Sequence, residues 1–218
     1  LAKPKSASLL GLAMRIEQAC VESHREWSGG YRVLAVKSPG IARAVKPGQF
    51  VHLLVPRLDS AVLRRPFSVF AAAGGLLTIL YKQVGKGTQA MASLAPGDDV
   101  SILGPLGNGF PAVPAGRTPV FVAGGYGVAP LCFLASRVRK KGVFLIGGAK
   151  ARDVLCIDLI KAMGWEVRVA TQDGSLGREG LVTDILDVWF YARSKPLKPE
   201  IYACGPDGML KAVGERAA

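Results

Sequence analysis

Histidine is almost missing from this chain, with two (His24 and His52) among 218 residues. Metal or triad chemistry centred on histidine therefore has little to be built from, and both are read as ordinary strand residues. Cysteine is nearly as scarce. Cys20, Cys132, Cys156 and Cys204 lie far apart and form no CxxC, so neither a zinc site nor a local iron–sulfur loop can be read from them. Scattered single thiols fit a reducing, cytoplasmic setting. Long apolar runs are also lacking. Each is broken by Gly, Pro or a charge well short of a bilayer span, so no membrane helix is expected. The stretch 1–14 has Lys3, Lys5 and a short apolar patch but no convincing cleavage site, so no secretory leader is expected. Internal repeats and low-complexity tracts are absent.

Acidic residues are few. Asp and Glu number 16 against 28 Lys and Arg, a formal net charge of +12. That excess suits solubility with affinity for anionic ligands, or docking to an acidic protein. Nucleic acid is not expected, because no aromatic–basic interleaving or helix-turn-helix spacing accompanies the charge. The densest cluster, Arg137, Arg139, Lys140 and Lys141, falls near the end of an expected helix, where cations meet the negative end of the dipole. Half of the residues are hydrophobic, enough for a real core, and the 27 glycines and 14 prolines promise many turns and close backbone approaches.

The chain divides into two patterns. Up to about residue 110, short alternating segments (15–23, 31–37, 50–55, 68–72, 76–83 and 99–103) are punctuated by Gly29-Gly30, Pro39-Gly40, Pro47-Gly48, Gly74-Gly75 and Pro96-Gly97. This spacing predicts an antiparallel barrel or sandwich, with 87–94 as its single short helix. From Thr118 the pattern changes. The apolar run 119–123 reads as a strand buried on both faces. Strands at 143–147, 166–170 and 201–204 then alternate with helices at 131–140, 153–163, 182–188 and from 209 onward. That order predicts a doubly wound parallel sheet. The Pro- and Gly-rich linker 110–119 sets the expected division into domains 1–112 and 113–218.

Five short motifs fall at the joints of this plan. Arg64-Arg65-Pro66-Phe67-Ser68 opens a strand and offers a guanidinium fork suited to a diphosphate, although a solvated basic strand edge reads the same way. Gly85-Lys86-Gly87-Thr88 precedes the short helix, where amides can approach an anion; a plain turn with Thr88 as cap is the alternative. Gly104-Pro105-Leu106-Gly107-Asn108-Gly109-Phe110 can lie flat against a planar ligand or simply link domains. Gly124-Gly125-Tyr126-Gly127-Val128-Ala129-Pro130 follows the first parallel strand, where glycines let a pyrophosphate sit against the next helix. It departs from GxGxxG, since Pro130 stands where the last glycine would be. Cys204-Gly205-Pro206 ends the last strand, on the same crevice.

The order of these motifs is more specific than any one of them. RRPFS, GKGT, GPLGNGF, GGYGVAP and CGP in succession resemble the ferredoxin–NADP reductase superfamily over nearly the whole chain. Within it, Lys46-Pro47-Gly48-Gln49-Phe50, the double arginine and the 171–177 segment TQDGSLG are similar to electron-transfer subunits of class B dihydroorotate dehydrogenases. Small subunits of electron-bifurcating transhydrogenases or sulfide dehydrogenases, and free-standing NAD(P)H-dependent flavin reductases, share much of the pattern.

The resemblance implies FAD on the barrel domain and NAD(H) on the α/β domain. It implies that Arg65, Pro66, Phe67 and Ser68 hold the flavin and its diphosphate, that Tyr81, Lys82 and Val84 border the ring, and that Gly87 and Thr88 cap the pyrophosphate. Gly124, Gly125 and Gly127 would approach the nicotinamide dinucleotide. Cys204, the one residue assigned to the catalytic position, would orient the nicotinamide ring beside Gly205 rather than attack it. Asp173 would bind ribose hydroxyls and repel a 2′-phosphate, although an Asp-Gly turn explains it almost as well and Lys150, Arg152 and Arg178, nearby in sequence, could instead accept a phosphate. Hydride transfer between two coenzymes needs no protein acid or base, in keeping with the missing histidines. Members of the family usually continue into a cysteine-rich tail holding a [2Fe–2S] cluster; this chain is expected to lack its ligands. A catalytic dehydrogenase subunit in pyrimidine biosynthesis, reached in a hetero-oligomer, is the implied partner.

Overall fold

Short strands of alternating character, with inward Val, Ile and Leu, close into a barrel because each buries one face. The computed structural model describes residues 14–55, 63–191 and 198–217; the stretch 1–13, for which no leader was expected, lies outside them. The barrel comprises β1 (Arg15–Glu26), β2 (Tyr31–Lys37), β3 (Phe50–Leu54), β4 (Arg65–Ala73), β5 (Leu76–Lys82) and β6 (Asp99–Leu106). They pair antiparallel in the order β1-β2-β5-β4-β3-β6, and the ends join. Leu34, Val36, Val51, Leu53, Val69, Leu77, Ile79 and Ile102 fill the interior. The β4–β5 hairpin turns on Gly74-Gly75, both at positive φ, as the tight turn that matches strand twist requires.

Two short helices lie in this half, where the sequence predicts one. α1 (Pro39–Ala44) was read as a turn at Pro39-Gly40, but proline at the first helical position starts a helix. Glu17 on β1 completes it, since one carboxylate oxygen accepts the Ser38 hydroxyl at 2.6 Å and the Ile41 amide at 3.3 Å. The other, α2 (Lys86–Met91), overlaps the expected 87–94 but stops three residues short of it. β4 begins at Arg65, three residues earlier than expected, which brings the RRPFS motif into the sheet edge.

The second half is a parallel sheet of β7 (Thr118–Gly124), β8 (Val143–Gly148), β9 (Glu166–Thr171), β10 (Arg178–Glu179) and β11 (Pro199–Cys204), in the order β10-β9-β8-β7-β11. The two-residue β10 was not anticipated, and Pro119 belongs to β7 rather than to the linker. Helices cover both faces. α3 (Val128–Arg137) and α4 (Ile157–Ala162) pack over Phe121, Phe144 and Tyr202, while α5 (Val182–Tyr191) and α6 (Asp207–Ala217) pack over Val120, Val122, Val143 and Leu145. The doubly wound expectation is met.

α3 is the element that joins the halves. Val128 through Ala135 are all buried, as in a helix with no solvent face. One side meets the sheet; the other meets Val33, Phe70 and Leu80 of the barrel, and Phe133 enters the barrel core. The basic cluster at its end is consumed locally. Arg137 donates to the Ala72 carbonyl at 3.0 Å, Lys140 to that of Arg117 at 2.6 Å, and Lys141 to those of Ala135 and Val138 at 3.2 and 2.7 Å. The two Lys141 bonds satisfy carbonyls where the helix stops at Arg137, three residues before its expected end, while Arg137 and Lys140 tie that end to β4 and to the segment before β7. α4 is likewise shorter than expected, because residues 151–153 form a separate 3₁₀ turn. Among the described residues, no helix is long and apolar enough to cross a membrane.

Candidate functional site

The carboxyl ends of β7, β8 and β11 open toward the barrel rather than toward solvent, and a cleft of about 1290 Å³ lies between. Such crevices are where sheets of this kind take ligands. The volume exceeds the usual range of about 300–1,000 Å³ for one drug-sized ligand, leaving room for two extended coenzymes. Every residue that the resemblance assigns to the site lines this one cleft except Asp173, whereas the 104–110 loop, which reads as able to lie flat against a planar ligand, does not line it.

The barrel wall carries Arg65, Pro66, Phe67 and Ser68 at the start of β4, then Tyr81 and Lys82 at the end of β5, Val84 just beyond it, and Gly87 and Thr88 on α2. The two arginines of the motif part company. Arg64 is turned to β6, donating to the Ser101 carbonyl at 2.8 Å and its hydroxyl at 2.9 Å. Arg65 faces the cleft, anchored by one bond to the Leu63 carbonyl, and its Nε lies 3.3 Å from where a Cβ on Gly87 would project. Guanidinium and glycine loop thus converge on one spot. The Thr88 hydroxyl accepts the amides of Val84 and Gly85 at 2.9 and 3.1 Å and donates to the Gly85 carbonyl, so it shapes the loop from within. Tyr81 is buried, edge-on to Phe67, and donates to His24 Nε2 at 2.9 Å, while His24 Nδ1 donates to the Leu94 carbonyl. Burial pushes the Tyr81 phenol up to about 12 and holds His24 below its ordinary value, in the neutral form.

The sheet wall is built of close approaches. A Cβ on Gly124 would stand 2.8 Å from the Pro206 ring and 3.0 Å from the Met209 sulfur. One on Gly127 would stand 2.6 Å from the Cys204 carbonyl carbon, and one on Gly205 would meet the Met209 methyl at 2.6 Å. The loop after β7 and the loop after β11 are therefore pressed together, with Gly125 and Cys204 on the cleft side. Burial raises the Cys204 thiol, which favours its neutral form.

Asp173 lies outside the lining. Its carboxylate accepts the Ser175 amide and hydroxyl, bonds that hold it below the usual carboxylate range and close a turn on themselves. Its neighbour Gln172 lines the cleft instead. Sequence reasoning also missed Tyr31, Asp153 and Gly147-Gly148. The glycine pair at the end of β8 was a usable signal, being at a strand's carboxyl end. Asp153 gave none, since its partners are distant in sequence. It accepts the Tyr31 hydroxyl at 3.2 Å and the Lys82 ammonium at 3.0 Å. Burial alone would raise Asp153, but the Lys82 bond and charge, helped by Tyr31 and Arg152, outweigh it and lower the carboxyl. The same bond raises Lys82. Among the described residues, no group of His, Cys, Asp or Glu could hold a metal ion.

A closed antiparallel barrel beside a five-stranded parallel sheet, with a glycine-lined cleft between them, defines a ferredoxin-reductase-like flavoprotein oxidoreductase. The chain is similar to a solved structure of an NADH-dependent reduced ferredoxin-NADP oxidoreductase, with TM-score 0.78 and 25% identity over 92% of this chain and 72% of that one. The CS-b5R domains of human Ncb5or share the fold at TM-score 0.76 and 15% identity, over 94% and 68% of the two chains. No family model matches. Among curated proteins, the dihydroorotate dehydrogenase B (NAD(+)) electron transfer subunit of Bacillus caldolyticus is 44% identical over 177 residues, 78% of this chain and 67% of the relative. Its counterpart from Geobacillus thermodenitrificans is 38% identical over 207 residues, 92% and 78% of the respective chains. The chain belongs to this family of dihydroorotate dehydrogenase B electron transfer subunits.

Proposed function

We propose that the chain binds FAD along the barrel wall and NAD(H) along the sheet wall, and carries electrons between NAD(H) and a catalytic dihydroorotate-oxidising subunit, in the pyrimidine-biosynthetic setting that the relatives' name implies. The observation that carries this is the convergence of the Arg65–Gly87 pair and the Gly124–Gly127–Gly205 cradle on opposite sides of one cleft. The residues present fit the groups. Gly85 has nothing within 4 Å of a projected Cβ, so backbone there faces open cleft that a diphosphate can enter. When bound, FAD supplies a ring that accepts a hydride and releases electrons singly.

What the chain does around that chemistry is bind and orient. Arg65 offers a planar fork to the flavin diphosphate, and Phe67 with Tyr81 supplies an apolar wall that keeps water from the ring. Gly124, Gly125 and Gly127 admit the dinucleotide to within backbone contact. Cys204, a neutral thiol at the end of β11, holds the nicotinamide against that wall. No side chain needs to gain or lose a proton for hydride transfer. Asp173 serves NAD(H) preference by keeping negative charge beside the Gln172 wall, disfavouring a 2′-phosphate; the NAD(+) in the relatives' name is consistent with this. A [2Fe–2S] cluster, as the family pattern has it, would stand between the flavin and the partner, outside the residues described here.

Mixing the purified protein with FAD should give a yellow complex whose visible absorbance bleaches when NADH is added anaerobically. A protein that stays colourless after FAD is offered, or a complex that NADH leaves oxidised, overturns the proposal. Cys204→Ser should slow this bleaching by less than about tenfold, whereas an acid or base would cost about 10²–10⁴-fold. An unchanged rate removes Cys204 from the site. The 25% identity to the reduced ferredoxin-NADP oxidoreductase, described in terms of flavin-based electron bifurcation, favours a second reading as a bifurcating subunit. The protein that co-purifies with the chain separates the two.

A further inference from the structure

One carboxylate joins the two walls of the cleft. Tyr31 and Lys82 face each other in register across β2 and β5, at the end of the barrel nearest the sheet. Asp153 sits on the 3₁₀ turn after β8, and its Oδ1 accepts from both, at 3.2 and 3.0 Å. The Lys82 ammonium also lies 4.7 Å from the centre of the Tyr31 ring. All three residues line the cleft. The cluster is sheltered, with the Lys82 and Asp153 side chains only 33% and 16% exposed.

Two neighbouring contacts show that this is a seam rather than a chance ion pair. The β1–β2 turn is pressed on the same 3₁₀ turn, since a Cβ on Gly29 would lie 3.3 Å from the Arg152 carbonyl oxygen. The Tyr31 hydroxyl reaches the glycine loop as well, 3.7 Å from where a Cβ on Gly125 would project. α3 fixes the apolar part of the interface by packing on β4. The carboxylate ties the polar part, at the cleft itself, beneath the loop proposed to carry the dinucleotide.

We propose that Asp153 is a positioning residue, which clamps Tyr31 and Lys82 of the barrel to the sheet half and so fixes the gap across which the two coenzyme rings meet. The inference rests on the two-coenzyme reading above. Hydride transfer is steeply sensitive to that gap, and a displacement of about 1 Å costs up to about 10²-fold. Binding of either coenzyme alone is less sensitive, because each sits mainly on its own wall. The clamp therefore acts on rate more than on affinity.

Asp153→Asn keeps the shape and removes the charge. It should slow flavin reduction at saturating NADH about tenfold. FAD affinity and the apparent dissociation constant for NADH should stay within about twofold. Lys82→Met should slow the same step, and the double variant should be no slower than the worse single one, as expected of two residues acting through one contact. In the FAD-free protein, amide hydrogen exchange over residues 28–31 and 149–156 should quicken in Asp153→Asn. An unchanged rate, a loss confined to NADH affinity, multiplying losses in the double variant, or unchanged exchange would each overturn the clamp. Failure of the parent protein to take up FAD would sink the two-coenzyme reading instead, while the exchange measurement still judges the clamp.

Discussion

Arg65→Ala should weaken FAD binding by about 100-fold, the equivalent of roughly 3 kcal/mol, when the FAD-free protein is titrated and flavin fluorescence is followed. The estimate comes from two charge-assisted bonds from one planar guanidinium to a diphosphate, each contributing about 1.5–3 kcal/mol. Nothing else on the barrel wall can replace them in kind, because Lys86 is a point charge on a flexible stem and Lys82 is engaged by Asp153. Arg64→Ala is the matched control. Arg64 spends its donors on the Ser101 carbonyl and hydroxyl. Its removal should leave FAD affinity almost unchanged and cost about 1–3 kcal/mol of folding stability in chemical denaturation. If the two variants exchange these phenotypes, the phosphate is held by the other arginine and the barrel wall has been read the wrong way round.

That pair of neighbours marks the limit of what the sequence makes legible. RRPFS announces an anion site and the resemblance names Arg65, but the residues alone do not choose between the two arginines, because it is Ser101 on β6 that draws Arg64 away. The order of barrel then parallel sheet was readable because each half has its own period. Alternating residues with glycine turns give the barrel, and the unbroken apolar run 119–123 gives a central strand covered on both faces. The cleft residues were readable because glycines cluster at the strand ends, where a Cβ on Gly124, Gly127 or Gly205 would collide with its neighbours, and before α2, where Gly85 leaves the cleft open. Local rules failed where a distant partner decides. Pro39-Gly40 reads as a turn until Glu17, on another strand, satisfies the exposed amides of α1. The helix expected to run to 140 stops at 137, where Val138 turns extended and Lys141 folds back onto the Ala135 and Val138 carbonyls. Asp153 carries no local signal at all. Its partners Tyr31 and Lys82 are 122 and 71 residues away, and only the closed barrel brings them side by side.

Gly127→Ala should be the most damaging single-methyl change in the cleft, lowering both stability and nucleotide binding. The backbone of Gly127 is right-handed helical, at φ −60° and ψ −14°, so alanine could adopt it without strain. The requirement for glycine is therefore one of space. The added carbon would stand 2.6 Å from the Cys204 carbonyl carbon and 2.9 Å from the Gly205 amide nitrogen. Both neighbours are main chain, so neither can swing aside as a long side chain could, and the β7–α3 turn must move away from β11. Overpacking of this kind costs about 1–3 kcal/mol. Because the displaced strands are the two that shape the sheet wall, the affinity for NADH should fall with it, on the order of tenfold or more. Gly208→Ala provides the contrast. It lines the same cleft on the first turn of α6, with nothing within 4 Å of the added methyl. There alanine should raise stability by about 0.5–1 kcal/mol, through its better helix propensity. Thermal unfolding and NADH titration of the two variants decide the matter. Equal behaviour would mean that the junction of the two loops is looser than its geometry indicates, and that the glycines of GGYGVAP are placed for the turn rather than for the ligand.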